Sequence, residues 1–389
     1  MSAIVAVVGL GYVGLPLVHI LSKAGFFVRG FDIDVRKIER LRAGESYIED
    51  ISDEDIRSLR GVEFDSDPSI LKEATFISVC VPTPINGKQE PDYGPMLSAL
   101  GMVRDHAAKG SIVVIESTVG PGFSKRISST LLQGFGVVFS PERVDPSNSD
   151  FTIQDIPKVA GSDCPLVYAR FEEVYSKAFT LHKMPDTKSA ELVKLLENTF
   201  RAVNLGFIHE FDDMCRDLGV DTRGVVSAAS TKPFGFMPFY PSVGVGGHCI
   251  PVDPYYLLAE RESKFIRSAM EINKLRPETC FRSLVPYFGQ DPVLFVGVAY
   301  KPNVGDVRES PALDLLNMIC EMTDVVYYDP HVPSVTLDTG EVLEAAGHDT
   351  LVACSYSMVV FAVNHTAVDA KNLSELSERV FDFCGATQK

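Results

Sequence analysis

Near its start the chain reads Ile4-Val-Ala-Val-Val-Gly9-Leu-Gly11-Tyr-Val-Gly14, in which a β-branched run leads into three glycines with the spacing GxGxxG. The run predicts a buried strand, and Leu15 to Ala24 has the character of a following helix. A second strand is predicted over Phe27 to Phe31, and Asp32 follows it, 18 residues after Gly14. Strand, glycine turn, helix, strand and acid in this order predict a dinucleotide-binding βαβ unit.

Each glycine of this turn has its own structural role. The first permits the tight turn, the second lets a pyrophosphate approach the backbone, and the third lets the helix pack closely on the strand. Asp32 can accept hydrogen bonds from a ribose diol and would repel a 2′-phosphate, so NAD is favoured over NADP. The alternative is a glycine-rich turn in some other α/β protein.

The rest of the chain shows two further patterns. Strand-like segments alternate with helical ones in both halves, which predicts parallel, doubly wound sheets. Between them, residues 187–218 contain one glycine, no proline and apolar residues at intervals of three and four, which predicts one helix of roughly 30 residues. Such a helix can join two domains and carry a dimer contact, or it can be a plain core helix. Later strands are predicted at Phe76 to Val81, Ile112 to Glu116, Val137 to Ser140, Val293 to Ala299, Val325 to Tyr328, Ala353 to Val363 and Val380 to Phe383.

The composition excludes several classes of protein. The 389 residues include 36 Lys and Arg against 52 Asp and Glu, a net charge of −16, which argues against a general nucleic-acid binder. No apolar run has the length of a membrane span, and the apolar N-terminus lacks the basic leader of a signal peptide. Eight cysteines without CxxC pairs suggest reduced thiols in a cytoplasm.

One cysteine stands apart from the other seven, which lie in apolar or helical stretches and are expected to be core thiols. Cys249 lies in Gly246-Gly-His-Cys-Ile-Pro-Val-Asp253, where glycine and proline predict a shaped loop or helix start whose N–H groups favour a thiolate. Asp253 follows by one helical turn if the segment is helical, and there it can orient a water or a proton acceptor. The alternatives are a buried structural thiol or, with His248, a metal site.

Two pairs of polar residues are further candidates for ligand binding. Lys194 and Asn198 share one face of the predicted long helix and need polar partners if that face is buried. A ligand can supply those partners, and a solvated stripe is the alternative. Lys301 and Arg308 precede Ser310-Pro311, a predicted helix start, and two cations there can grip a pyrophosphate. Plain solvent-exposed cations are the alternative for this second pair.

Together these segments resemble the UDP-glucose/GDP-mannose dehydrogenase family over essentially the whole chain. The resemblance implies a four-electron oxidation at C6 of the sugar with two NAD per turnover, in polysaccharide biosynthesis. Cys249 would form a thiohemiacetal and then a thioester, which water hydrolyses to the uronate. The matching segments are Gly9 to Pro16, Val79 to Pro84, Glu116 to Gly122, Ser140 to Arg143, Lys194 to Asn198, Gly246 to Asp253 and Lys301 to Pro311.

The resemblance also implies residue roles. Lys194 and Asn198 would stabilise the developing oxyanion, with Lys194 serving in proton transfer as well, and Arg308 would reach the cofactor or the pyrophosphate. The residues implied to position or activate water are Thr118, Glu142 and Asp253. Those implied to bind NAD are Gly9, Gly11, Tyr12, Val13, Gly14, Asp32, Lys37, Thr83 and Thr118. Those implied to bind the UDP-sugar are Arg143, Val144, Lys194, Asn198, Arg201, Gly246, Tyr300 and Lys301.

The expected fold is α/β, with two Rossmann-like doubly wound domains joined by a long central helix and a helical dimerisation region. The expected bounds are 1–186 for the NAD-binding domain, 187–289 for the helical region and 290–389 for the UDP-sugar-binding domain. The expected assembly is a homodimer or larger homo-oligomer, with no nucleic acid, membrane or metal.

The sugar is predicted from the residues around the thiol. His248 and Val252 are similar to the UDP-N-acetylhexosamine members. The segments Ser140 to Pro146 and Ile156 to Val159 further resemble the UDP-N-acetylglucosamine members, which favours that sugar, with UDP-N-acetylmannosamine next. UDP-glucose, or a non-catalytic dinucleotide-binding protein, is the alternative. Departures from the family's usual residues include Phe123-Ser124, Ser147 and His209, where Asn is common.

Overall fold

The computed structural model describes residues 3–48, 51–143 and 153–388. The chain divides into two compact units, the first formed by Met1–Glu197 and Tyr255–Arg261, the second by Asn198–Pro254 and Glu262–Lys389. Among the described residues, the helices are all too short or too polar to cross a membrane.

The first unit is built on an eight-stranded sheet of order β3-β2-β1-β4-β5-β6-β7-β8. Every neighbouring pair is parallel except β6 and β7, which are antiparallel. The chain therefore winds outward from β1 in both directions, as predicted. The strands are β1 Ile4–Val8, β2 Phe27–Phe31, β3 Val62–Asp65, β4 Phe76–Val79, β5 Ile112–Ile115, β6 Gly136–Phe139, β7 Lys158–Gly161 and β8 Leu181–Met184.

Both faces of this sheet are covered by helices. Val5 and Val7 of β1 belong to one core cluster, whereas Ala6 and Val8 belong to the other, so alternate side chains of one strand fill two cores. This explains why the strand reads as a continuous apolar run. The helices are α1 Gly14–Lys23, α2 Val35–Arg42, α3 Asp53–Ser58, α4 Gly94–His106, α5 Phe123–Thr130 and α6 Pro165–Tyr175, with a short 3₁₀ turn at Pro68–Leu71.

The predicted long helix is present as α7, Thr187–Asp217, with 31 residues. Three more helices follow it: α8 Thr222–Ala229, α9 Asp253–Glu260 and α10 Lys264–Leu284. In the second unit α7 and α10 pack closely at Gly206, where an added Cβ would lie 2.9 Å from the carbonyl oxygen of Ala269. The single glycine of the long helix therefore marks a helix contact.

The second unit contains a four-stranded parallel sheet of order β10-β9-β13-β14. Ser310 caps α11 by accepting a hydrogen bond from the N–H of Leu313, and Pro311 occupies the first turn, as predicted. The strands are β9 Val293–Val296, β10 Val325–Tyr328, β13 Met358–Phe361 and β14 Val380–Asp382, beside a hairpin of β11 Ser334–Thr336 and β12 Val342–Glu344. The helices are α11 Pro311–Cys320, α12 His348–Ala353 and α13 Ala370–Ser374, with 3₁₀ turns at Val285–Tyr287 and Ala386–Gln388.

Several expectations were wrong in detail. The strands predicted to end at Val81, Glu116, Ser140, Ala299, Val363 and Phe383 end one to three residues earlier. The strand predicted from Ala353 begins only at Met358, because Ala353 ends α12 and residues 354–357 form a bend. Cys164 and Cys354 are exposed, although they were expected to be core thiols, because each lies outside the regular elements at a helix end.

Candidate functional site

The three glycines of the first unit are constrained in three different ways. Gly9 has φ +89°, and an added Cβ would lie 2.7 Å from the carbonyl oxygen of Cys80. A Cβ on Gly14 would lie 1.8 Å from the carbonyl oxygen of Gly9, so α1 packs directly on the turn. A Cβ on Gly11 would meet no atom within 4 Å. The turn therefore has no room for a side chain at Gly9 or Gly14, whereas Gly11 has free space beside it.

Asp32, at the end of β2, is tied to this turn. Its Oδ2 accepts hydrogen bonds from the N–H of Leu10 at 2.9 Å and from Nζ of Lys37 at 3.1 Å. The hydroxyl of Tyr47 donates to the carbonyl oxygen of Leu10, so the Leu10 residue is held through both its N–H and its C=O. Tyr47 was missed by sequence reasoning, because its position 15 residues beyond Asp32 carries no motif.

These residues fit a dinucleotide. Val13 supplies no side-chain cap to α1, and there is space beside Gly11 at the start of this helix, where an anion is favoured by the helix N-terminus. Asp32 is only 6% exposed and directly follows β2, the position of the ribose-binding acid in dinucleotide-binding folds. Tyr12, next to Val13, is 46% exposed.

Two loops follow the next strands of the same sheet. Thr83, after β4, is half-buried, and its carbonyl oxygen accepts a hydrogen bond from the Tyr256 hydroxyl at 2.9 Å. Thr118, after β5, is half-buried as well. Both loops lie at the carboxyl edge of the parallel strands, where doubly wound folds bind ligands.

Lys194 and Glu142 are brought together in the first unit. Nζ of Lys194 on α7 donates to the carbonyl oxygen of Glu142 at 2.7 Å. The Glu142 Oε1 accepts the N–H of Arg143 at 2.7 Å. The Arg143 guanidinium itself donates to Glu197 of α7 and, at 2.6 Å, to the carbonyl oxygen of Pro157. Helix α7 is therefore fastened to the loop after β6 by two cations.

A buried ion cluster lies beside Glu142, and sequence reasoning missed it. Nζ of Lys158 lies 2.6 Å from Glu116 Oε2 and 3.6 Å from Glu142 Oε2. Burial raises the pKa of Glu116 to about 7 although Lys158 opposes the shift. The only signal in the sequence was a charged residue directly after the apolar strand β5 and another at the start of β7.

In the second unit the thiol lies on a loop that leads into α9. Cys249 is exposed, so the alternative of a buried structural thiol is wrong. Its carbonyl oxygen accepts the N–H of Asp253 at 2.8 Å, which places the thiol one turn ahead of the helix. Asp253 is 3% exposed, and its Oδ2 accepts a hydrogen bond from Nδ2 of Asn198 at 2.5 Å. In the described part of the chain, no cluster of three or more His, Cys, Asp or Glu side chains is arranged to hold a metal ion.

The thiol loop packs against the loop that follows β9. A Cβ on Gly246 would lie 2.7 Å from the carbonyl oxygen of Glu309, and one on Gly247, at φ +82°, would lie 3.2 Å from the ring of Tyr300. Lys301 has its Nζ 5.6 Å from the centre of that ring. Larger side chains at either glycine would push these loops apart.

Arg308 precedes α11, as predicted, but its charge is matched by a neighbour. Its Nε and Nη2 donate to Asp306, at 2.9 and 2.6 Å, and this pairing lowers the pKa of Asp306. An anion bound here would compete with Asp306 for the Arg308 guanidinium. Of the other predicted contacts, Arg201 is exposed on α7, and Val144 lies outside the described residues.

A second acid repeats the arrangement of Asp32. Asp329 follows β10, and its Oδ2 accepts the N–H of Val298 at 2.8 Å, just as Asp32 accepts the N–H of Leu10. The buried His365 lies 3.1 Å from the same oxygen and accepts the N–H of Asn303 at 2.9 Å. Asp329 and His365 thus hold the loop that carries Lys301.

The start of the thiol loop is held by a buried network in the second unit. Arg276, 1% exposed, donates to the carbonyl oxygens of Ser242 at 3.0 Å and His209 at 3.2 Å, and also to Asp212. His209 contacts Ser242 Oγ through Nε2 at 3.2 Å and Asn273 Oδ1 through Nδ1 at 3.1 Å. His209 therefore links α7 and α10 to the loop.

This network predicts an acid-sensitive stability. Burial, aided by the charge of Arg276, lowers the pKa of His209 to about 3. Between about pH 6.5 and pH 3 the unfolded chain binds a proton at His209 that the folded chain does not, so stability falls as pH falls, by at most about 1.4 kcal/mol per pH unit. We expect His209→Asn to flatten this dependence in urea unfolding between pH 7.5 and 5. The exposed His106→Asn is the control, and equal slopes for wild type and His209→Asn would contradict the prediction.

Comparison with known proteins covers most of the chain. Residues 3–179 match the NAD-binding domain, 188–275 the central domain and 294–388 the UDP-binding domain of the UDP-glucose/GDP-mannose dehydrogenase family. UDP-N-acetyl-D-glucosamine 6-dehydrogenase of Salmonella typhi is 31% identical over 93% of this chain and 89% of its own. UDP-N-acetyl-D-mannosamine dehydrogenase of Methanococcus maripaludis is 32% identical over 86% and 82%. The UDP-D-ManNAc dehydrogenase structure from Pyrococcus horikoshii superposes with TM-score 0.87 at 27% identity, covering 98% of this chain and 96% of that one.

Proposed function

The chain belongs to the UDP-glucose/GDP-mannose dehydrogenase family, and from this premise we propose that it oxidises C6 of a UDP-N-acetylhexosamine to the uronate. It is an NAD-dependent nucleotide-sugar dehydrogenase. UDP-N-acetylglucosamine is the favoured substrate, because the segments 140–146 and 156–159 resemble that branch, and UDP-N-acetylmannosamine is the next. Relatives at 31% and 32% identity carry those two names. The observation that carries the proposal is the exposed Cys249, one turn ahead of a buried Asp253 that Asn198 holds.

The proposed chemistry proceeds in three stages. The C6 alcohol loses a hydride and a proton to give the aldehyde, and the Cys249 thiolate adds to it as a thiohemiacetal. Loss of a second hydride gives a thioester, and water hydrolyses that thioester to the uronate and the free thiol. NAD, when bound, supplies the hydride acceptor in both oxidations.

The protein's own groups stabilise charge and move protons. The ammonium of Lys194 and the second N–H of the Asn198 amide would stabilise the oxygen anion at C6, one N–H of that amide being used by Asp253. Lys194 would also accept the alcohol proton. Glu142, Asp253 and Thr118 would position and activate the hydrolytic water.

The proposed binding residues divide between the two ligands. The residues proposed to bind NAD are Gly9, Gly11, Tyr12, Val13, Gly14, Asp32, Lys37, Thr83, Thr118 and Arg308. Those proposed for the UDP-sugar are Arg143, Val144, Arg201, Gly246, Tyr300 and Lys301.

The proposed domain bounds are 1–186, 187–289 and 290–389. The eight cysteines, none of them in a disulfide, support a reducing compartment such as the cytoplasm.

The experiment that tests this proposal counts NADH against sugar consumed. Purified protein and NAD are offered UDP-N-acetylglucosamine, UDP-N-acetylmannosamine, UDP-glucose and GDP-mannose separately, with NADP as a parallel arm. We expect two NADH per UDP-N-acetylhexosamine and little product from the other sugars or with NADP. One NADH per sugar would mean that oxidation stops at the aldehyde, and turnover of UDP-glucose alone would replace the proposed substrate.

We also propose that α7 pairs with a second copy of the chain. Five large apolar residues on this helix are between 41% and 66% exposed: Leu192, Leu196, Phe200, Phe207 and Met214. At 100° per residue they share an arc of roughly 80°. A continuous apolar stripe of this kind is typical of a protein interface, and a two-fold pairing buries it on both copies.

A charge placed in the stripe tests the dimer. Phe207→Glu is expected to give a monomer in light scattering at a protein concentration where the wild type is dimeric, because a carboxylate would be buried without a partner. Phe265→Glu, at a 72% exposed position on α10, is the matched control and should leave the mass unchanged. A wild type that is already monomeric would end this proposal.

A further inference from the structure

One buried cation in the first unit has no role in the chemistry described so far. Strands β5 and β6 are parallel and end at the same sheet edge, and β7 runs antiparallel to β6, so its first residue lies at that edge too. The arrangement brings Lys158 to Glu116, directly after β5, and to Glu142, shortly after β6. Glu142 is one of the residues proposed to activate water.

Two members of the cluster are almost completely buried. Lys158 is 4% and Glu116 2% exposed. Burial alone would lower the pKa of Lys158, but the two carboxylates outweigh it and raise that pKa, so the ammonium stays charged. Glu116 Oε1 has no hydrogen-bond partner within the described residues, and the pKa of this group is raised by burial to about 7. The Lys158 ammonium is therefore shared by the carboxylates of Glu116 and Glu142.

The contacts of Glu142 show what the ammonium does there. The Oε1 atom accepts the Arg143 N–H, Oε2 faces Lys158, and the Glu142 carbonyl oxygen accepts from Lys194. Both carboxylate oxygens are thereby oriented. Without Lys158, Glu116 and Glu142 would share a poorly solvated site, and like charges there favour protonation of one of them.

We propose that Lys158 is a positioning residue for thioester hydrolysis, which orients the Glu142 carboxylate toward the hydrolytic water. This rests on the proposed function, in which Glu142 activates that water. The titratable groups around Lys158 are Glu116 after β5, Glu142 after β6 and the Cys80 thiol after β4, and Tyr175 of α6 faces Glu116. The Lys158 ammonium faces the Glu142 side chain, whereas the ammonium of Lys194 on α7 donates to the Glu142 carbonyl oxygen.

Single-turnover measurements with Lys158→Met test the proposal. We expect the two hydride transfers to stay within about threefold of wild type, while hydrolysis slows on the order of 10²-fold, the usual size of a general-base effect. The acylated Cys249 should then accumulate and be seen by intact-protein mass spectrometry after acid quench. The acid limb of the hydrolysis rate should move to higher pH, because the remaining carboxylates lose the nearby positive charge. Lys158→Arg, which restores that charge, should recover most of the hydrolysis rate.

Two further measurements separate this inference from its alternatives. In Glu116→Gln, Glu142 is the remaining carboxylate partner of Lys158. We therefore expect the acid limb of the hydrolysis rate to move to lower pH in this variant. This measurement tests the charge coupling even if Lys158→Met does not fold. Folded Lys158→Met with wild-type hydrolysis and pH profile, or Glu116→Gln with an unmoved limb, would overturn the proposal. Wild-type protein that yields no uronate from any UDP-sugar would instead refute the proposed function.

Discussion

Cys249→Ala is expected to lower uronate formation by a factor on the order of 10³ to 10⁶, the range seen when a covalent nucleophile is removed. The thiol is exposed and lies on a loop rather than in a core, so its loss should leave the fold intact. NAD binding, measured by isothermal titration calorimetry, should be unchanged. The first hydride transfer can still occur, so up to one NADH per sugar should form, together with free aldehyde.

The matched control is Cys354→Ala, which removes another exposed thiol from the same unit. It should leave both NADH and uronate at wild-type rates, because Cys354 lies at the end of α12, away in sequence from the thiol loop. If Cys249→Ala makes uronate as fast as the control does, covalent catalysis by this thiol is wrong.

Gly14→Ala is expected to produce the largest loss of stability among the substitutions considered. The added methyl would lie 1.8 Å from the carbonyl oxygen of Gly9, a backbone atom that cannot swing aside as a side chain would. Relief requires α1 to shift off β1, and overpacking of this kind costs about 1–3 kcal/mol or more. Urea unfolding should show the loss, and NAD affinity should fall with it because the turn is deformed.

Gly11→Ala separates cofactor binding from folding in the same turn. Its methyl would meet no protein atom within 4 Å, so stability should stay within about 0.5 kcal/mol of wild type, as for other exposed substitutions. The methyl would occupy the surface that a pyrophosphate approaches, so the Kd for NAD should rise on the order of tenfold or more, equivalent to about 1.4 kcal/mol. Unchanged NAD affinity in Gly11→Ala would show that the pyrophosphate does not bind at this turn.

Local rules were enough to predict much of this protein. The strands at Ile4–Val8, Phe27–Phe31 and Val325–Tyr328 were predicted to the residue, and the long helix to within one residue, because apolar periodicity and the absence of proline are local properties. The Ser310 cap was readable for the same reason. Strands β3, β7 and β8 were missed, since each has four residues and a mixed pattern.

Several site residues were also nominated from the sequence by itself. The glycine turn and Asp32 follow from spacing, and Cys249 was singled out by its glycine-rich surroundings. Their roles came from resemblance to a family, because a short motif states which residues matter and not what they contact.

Only the tertiary structure decided the partners of those residues. Lys194 meets the carbonyl of Glu142 across 52 residues of chain, and Asn198 meets Asp253 across 55. Lys158 reaches Glu116 because β7 and β8 run antiparallel to the other six strands, which places the first residue of β7 at the carboxyl edge of β5 and β6. His209 reaches Ser242 because α7 passes beside the thiol loop. Hydrogen bonds and ion pairs depend on distances of a few ångströms between groups far apart in sequence, and such distances are set by how the elements pack rather than by any local pattern.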